Sequence, residues 1–148
     1  MTLLERLQQE LKAAMLAKDA DRVSALRMLK SAVGYVQIER KTETLSDAEV
    51  VAVVQKEIKK RRDAMEQYQT GGRPELAAKE EQEIRVLEIF LPQAASAEEL
   101  EQAVRAIIQE TGATSKKDMG PVIKAVQAKM AGRADGKTIS TLVGRLLP

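Results

Sequence analysis

The chain has no cysteine, no histidine and no tryptophan, and only one Phe and two Tyr among its 148 residues. Without cysteine there are no disulfides, no thiolate metal sites and no thiol nucleophile. Without histidine the commonest general base and the commonest metal ligand are both missing. So few aromatics leave little for base-stacking platforms. No apolar run is long enough to span a bilayer. The first residues, Met1-Thr2-Leu3-Leu4-Glu5-Arg6, mix acid with base and show no apolar h-region, so they do not read as a signal peptide. These absences point to a soluble, cytoplasmic protein with no metal site and no cofactor.

What is present is aliphatic and charged. Hydrophobic residues make up 44% of the chain, which supports a globular fold, and a chain of this length needs no staple to bury a core. The net charge is only +2, yet the last 38 residues hold seven Lys or Arg against two Asp, a local charge of +5. A compact basic helical unit points to a polyanion before it points to a small molecule.

Nearly every segment has the helical period. The first stripe is Leu4, Leu7, Leu11, Ala14 and Met15, ending near Lys18. Asp19 or Asp21 caps a second helix with Leu26, Leu29, Val33 and Val36 inside. Ser46 with Glu49 forms a capping box for a third helix carrying Val51, Val54, Ile58, Met65 and Tyr68. Gly71-Gly72-Arg73-Pro74 stops it, and a fourth helix runs through Leu76, Ile84, Leu87 and Leu91 up to Pro92. Residues 92–95 are the candidate boundary. Beyond it Ser96 with Glu99 opens a fifth helix, Asp118 a sixth and Asp135 a seventh. The fold expected is all-α, an N-terminal four-helix bundle (1–92) followed by a small three-helix tail domain (96–148).

Two basic clusters attract attention. Lys59-Lys60-Arg61-Arg62 lies within the third helix, where Arg61 and Arg62 straddle the apolar stripe. Pairing with Glu57, Asp63, Glu80 or Glu83 is the favoured explanation, and an RNA-facing patch is the other. The turn Gly132-Arg133-Ala134-Asp135-Gly136-Lys137 precedes the last helix. A helix start offers free N–H groups and partial positive charge, which suits phosphate. Arg133 and Lys137 flank that start, are expected to be exposed, and would grip the same anion. A capped helix pair with a solvated turn explains the same pattern. Asp19 and Asp21 make a poor cation site and read as caps. No Ser has a histidine near it, and Lys30 and Ser31 are adjacent on a helix and face different directions, so no catalytic residue is visible.

Several stretches resemble YqeY-like proteins of the GatB/YqeY family. They are residues 14–19, residues 27–32, Val54 to Ala64, Gly72-Arg73 with Leu76-Ala77, Glu83 to Pro92, and Met119-Gly120 through residues 132–137 to Leu146-Leu147. Together they span essentially the whole chain. The resemblance implies a helical bundle with a three-helix tail. It also implies kinship with the C-terminal tail region of GatB, the tRNA-handling subunit of the glutamine-dependent aminoacyl-tRNA amidotransferase. A carbon–nitrogen ligase label attaches to the family by association, although the catalytic parts of that enzyme have no counterpart here. On this footing Arg133, Lys137, Lys124, Lys129, Gly132 and Gly136 are the candidate nucleic-acid contacts. The expectation is a non-catalytic tRNA-binding accessory module. The alternatives are an adaptor for a synthetase or other tRNA-pathway protein, and a genuine amidotransferase.

Overall fold

The computed structural model describes all 148 residues. It is wholly helical: α1 (Leu3–Leu16), α2 (Ala20–Arg40), α3 (Asp47–Thr70), α4 (Pro74–Glu88), α5 (Ala97–Thr111), a 3₁₀ turn (Lys116–Asp118), α6 (Met119–Lys129) and α7 (Gly136–Leu146). The backbone divides into two compact units, Met1–Leu91 and Pro92–Pro148.

In the first unit, α1 to α4 share one core. Leu7, Leu11 and Ala14 meet Leu26, Leu29 and Val33, with Val50, Val54 and Ile58 from α3 and Ile84 and Leu87 from α4. Local chemistry sets where each helix starts. The Thr2 hydroxyl accepts from Glu5 N, and Asp47 at the start of α3 accepts from Leu3 N at 3.0 Å, so a second helix helps cap α1. Asp19 caps α2 by accepting from Arg22 N. Ser46 and Glu49 close their capping box on α3. Leu45 just before it is buried in the same core as Val50, as a hydrophobic staple requires. Arg40 pairs with Glu49 and ties the end of α2 to the start of α3.

Some expected boundaries move. Helix α1 stops at Leu16, and α4 stops at Glu88 rather than near Pro92. After that stop the chain turns Phe90 inward to 1% exposure, with Arg6 lying 5.8 Å from its ring centroid. Ala77, not Leu76, is the buried residue of the first turns of α4. Of the third-helix stripe, Met65 and Tyr68 are only half-buried.

The second unit has its own core: Leu100, Ala103, Val104 and Ile107 from α5, Val122, Val126 and Met130 from α6, then Ile139, Val143 and Leu147. Leu142 and Leu146 on α7 are half-buried, while Leu147 just past it is inside. Asp118 does not cap α6 with its side chain. Its carboxylate instead accepts from Thr114 N and Ser115 N, closing a box with Ser115 around the 3₁₀ turn. Ser96 caps α5 by accepting from Glu99 N, but Glu99 does not complete the reciprocal half of the box. That carboxylate instead accepts from the Ser96 hydroxyl at 3.3 Å and pairs with Arg133.

Candidate nucleic-acid interface

The turn between α6 and α7 begins at Met130. Gly132 takes φ +78°, a left-handed conformation that glycine adopts at little cost, and this sends the chain back toward the start of the unit. Arg133 then makes several local contacts. Its carbonyl accepts from Ala95 N at 2.8 Å, its Nε donates to the Gln93 carbonyl at 3.1 Å, and its terminal nitrogen pairs with Glu99 at 2.6 Å. Arg133 is therefore a clasp that fastens residues 93–99 to the turn. Its side chain is 37% exposed, less open than its sequence position implies.

Asp135 accepts from Thr138 N at 2.7 Å and so occupies the start of α7 with a carboxylate. An anion arriving there shares the remaining N–H groups with that cap. Gly136 is close-set, since a Cβ on it would lie 3.2 Å from the Gln127 side-chain nitrogen. Lys137 follows directly and is exposed.

Lys124 and Lys129 are also exposed, along with Lys116 and Lys117. The ion pairs of α5 and this turn are Arg105–Glu101 and Arg133–Glu99, and none of these lysines takes part in them. At 100° per residue Lys124 and Lys129 sit about 140° apart around α6, so they do not form one stripe. On α7, Lys137, Thr141 and Arg145 do form one, at i, i+4 and i+8, all exposed. Arg145 is not among the candidates that the sequence singles out, although the i, i+4 spacing from Lys137 places it on the same stripe. The charge is sided by element: Glu98, Glu99, Glu101 and Glu110 lie on α5, and the lysines on the 3₁₀ turn, α6 and α7.

Two carboxyls on α5 respond. The hydrogen bond and charge of Arg133 hold Glu99 below its ordinary 4.5, and Arg105 does the same for Glu101 with a smaller pull from Arg145. A depressed carboxyl favours the folded unit above its ordinary pKa, and that share is lost as pH falls through the lowered value. The second unit should therefore loosen in acid below about pH 4.5, and Glu99→Gln should flatten that part of the pH–stability curve. Thermal melts between neutral and acid pH test this; an unchanged curve in the Gln variant rules the clasp out as the source.

The clasp also separates two residues that the sequence pairs. Arg133→Ala should lower the melting temperature of the second unit, whereas Lys137→Ala should leave stability within about 0.5 kcal/mol. Parallel denaturation of the two variants decides it; equal effects would deny Arg133 its structural role.

The first unit holds the other cationic cluster. Arg61 is buried at 4% exposure, with its Nε 3.0 Å from Glu83 and a terminal nitrogen 3.4 Å from Glu57. The pairing expected for this run is what Arg61 does. Arg62 lies exposed on the next face. Burial first, then the charge of Glu83, push Glu80 above its ordinary value.

The profile of the YqeY-like protein family matches residues 4–147. The chain belongs to the YqeY-like family. A protein of Schizosaccharomyces pombe, bearing the name uncharacterized, is 37% identical over 90 residues, 61% of this chain and 72% of its own. Altered inheritance of mitochondria protein 41, mitochondrial, of Kluyveromyces lactis is 34% identical over 136 residues, 90% of this chain and 69% of its own. The protein of the same name in Vanderwaltozyma polyspora is 32% identical over 85 residues, 57% of this chain and 46% of its own. Those names correct the cytoplasmic expectation: yeast relatives of this YqeY-like chain are named as mitochondrial. Composition carries no address. Independently, no helix is long and apolar enough to cross a membrane.

Proposed function

We propose that this YqeY-like chain is a non-catalytic tRNA-binding accessory module, a four-helix bundle domain carrying a three-helix tail domain that contacts the phosphate backbone. One observation carries the reading: Lys116, Lys117, Lys124, Lys129 and Lys137 are exposed within a short stretch and take no part in the ion pairs around Glu99 and Glu101. Exposed cations on a compact helical unit suit a polyanion, and each phosphate they meet releases counterions from the nucleic acid.

The roles divide by geometry. Lys124, Lys129 and Lys137 bind, joined by Arg145 along α7. Gly132 and Gly136 let the turn keep its shape, and Arg133 holds that turn to the start of the tail while its remaining guanidinium N–H groups stay on the exposed side. With three aromatic residues in the chain, stacking contributes little and contact is to phosphate and sugar. Such binding is nearly blind to sequence. The test is retention of bulk tRNA by the full chain as salt is raised. A steep loss supports phosphate contact, and absence of binding at low salt overturns the reading.

An adaptor role has one observation in its favour, an apolar outer face on α2, and it concerns a different surface.

A further inference from the structure

Helix α2 is apolar on both sides. Its inner face buries Leu26, Leu29 and Val33, so its outer face should carry charge. Instead Met28, Tyr35 and Ile38 stand there at 52%, 75% and 78% exposure, three of the seven large hydrophobic residues that the chain leaves open. With Ser24 and Ser31 they occupy positions 24, 28, 31, 35 and 38. That alternation of four and three residues is the spacing of a seam made to meet another helix. A solitary exposed side chain needs no explanation, whereas a continuous seam of them does.

A groove of about 790 Å³ runs beside the seam between α2 and α3, walled by Ala32, Val36, Val53 and Ala64. The two helices are antiparallel: Arg40 pairs with Glu49 at one end, and Arg61 reaches the Met28 sulfur at 3.5 Å toward the other. The acids Glu57 and Glu83 are withdrawn onto Arg61. The exposed charges at the mouth are Arg27 and Lys60 toward one end, where Lys60 also pairs with Glu57 at 3.8 Å and the half-buried Glu80 lines the wall, Lys56 along α3, and Glu39 toward the other end. Among the exposed groups of the groove, one end presents the cations Arg27 and Lys60 and the other the carboxylate of Glu39.

We propose that the occupant is a second copy of this chain, with the two α2 helices lying antiparallel about a two-fold axis near Val33. In that register Met28 faces Ile38 of the second copy, and Ser31 faces Tyr35 of the second copy, small against large. The two-fold turns each acidic end, Glu39, onto the basic end of the other groove at Arg27 and Lys60. Ridge, groove and opposed charges lie on one surface, which is the condition for an isologous dimer. An unrelated helix would not require the ridge and the groove to share one element. Gly34 beside the seam meets nothing within 4 Å of an added Cβ, which leaves room for close helix approach.

Sedimentation of the full chain across the micromolar range tests this. A monomer–dimer equilibrium is expected, with Ile38→Glu weakening association at least about tenfold while the helical spectrum and melting stay unchanged, since Ile38 is open. Glu39→Lys and Lys60→Glu should each weaken the dimer, and the two together should recover much of the loss. Because the chain has no cysteine, Ser31→Cys supplies a single thiol near the axis; it should cross-link two copies with a short bis-maleimide, while Thr141→Cys on α7 should not. A chain that stays monomeric throughout overturns the proposal. So does a dimer indifferent to Ile38→Glu, or a foreign protein or RNA that occupies Tyr35 on a monomeric chain.

Discussion

Arg61→Ala should cost about 3–5 kcal/mol, a large part of what a domain of this size has to lose. The reason is the partner left behind. Glu83 is 9% exposed, and Arg61 is the cation bonded to it at 3.0 Å. Removing the guanidinium strands that carboxylate and releases the Glu57 carbonyl, which also accepts from Arg61. The paired change Arg61→Met with Glu83→Leu should recover most of the loss, because an apolar pair of similar volume needs no compensation. Urea unfolding followed by circular dichroism measures both. A loss below about 1 kcal/mol for Arg61→Ala would mean that Glu83 finds another cation or water, and that Arg61 is not what holds α3 to α4.

Ile139→Ala should unfold the second unit and spare the first. Ile139 is fully buried among Val104, Val122, Val126 and Val143, and truncating such a residue typically costs about 2–5 kcal/mol. A unit bounded by Pro92 and Pro148 has a small core and little reserve. If 1–92 and 96–148 are independent domains, the variant loses its tail transition while the residues before Pro92 melt at their original temperature. A single transition displaced as a whole would make the chain one cooperative body, and the tail could then not be treated as a separate binding module.

The features legible in the sequence are those fixed by chemistry within a few residues. Asp19, Ser46 and Asp135 cap the helices that their positions imply, because a cap needs only an oxygen and the N–H two or three residues later. Contacts across the fold were less legible. Charge counting placed Arg133 with Lys137, but Glu99 lies 34 residues earlier and its bond appears only once α5 packs beside the turn. The period placed Arg61 and Arg62 on either side of one stripe, and only the position of α4 decides that Arg61 is the buried one. Phe90 escaped notice because it lies past the end of α4, where helical periodicity no longer applies. The open seam on α2 was unread for a related reason. A stripe explained by the inner core draws no attention to a second stripe behind it.

If the lysines of the tail meet phosphate, one comparison shows it most directly. Binding of tRNA to the full chain is measured at several salt concentrations, beside a variant carrying Lys124→Ala, Lys129→Ala and Lys137→Ala together. All three positions are exposed, so the variant should fold as the parent does. The expected result is weaker binding and a log-affinity against log-salt line flatter by about three units, roughly one per lost contact, alike for unrelated tRNAs. The same affinity and the same slope in both proteins would contradict it.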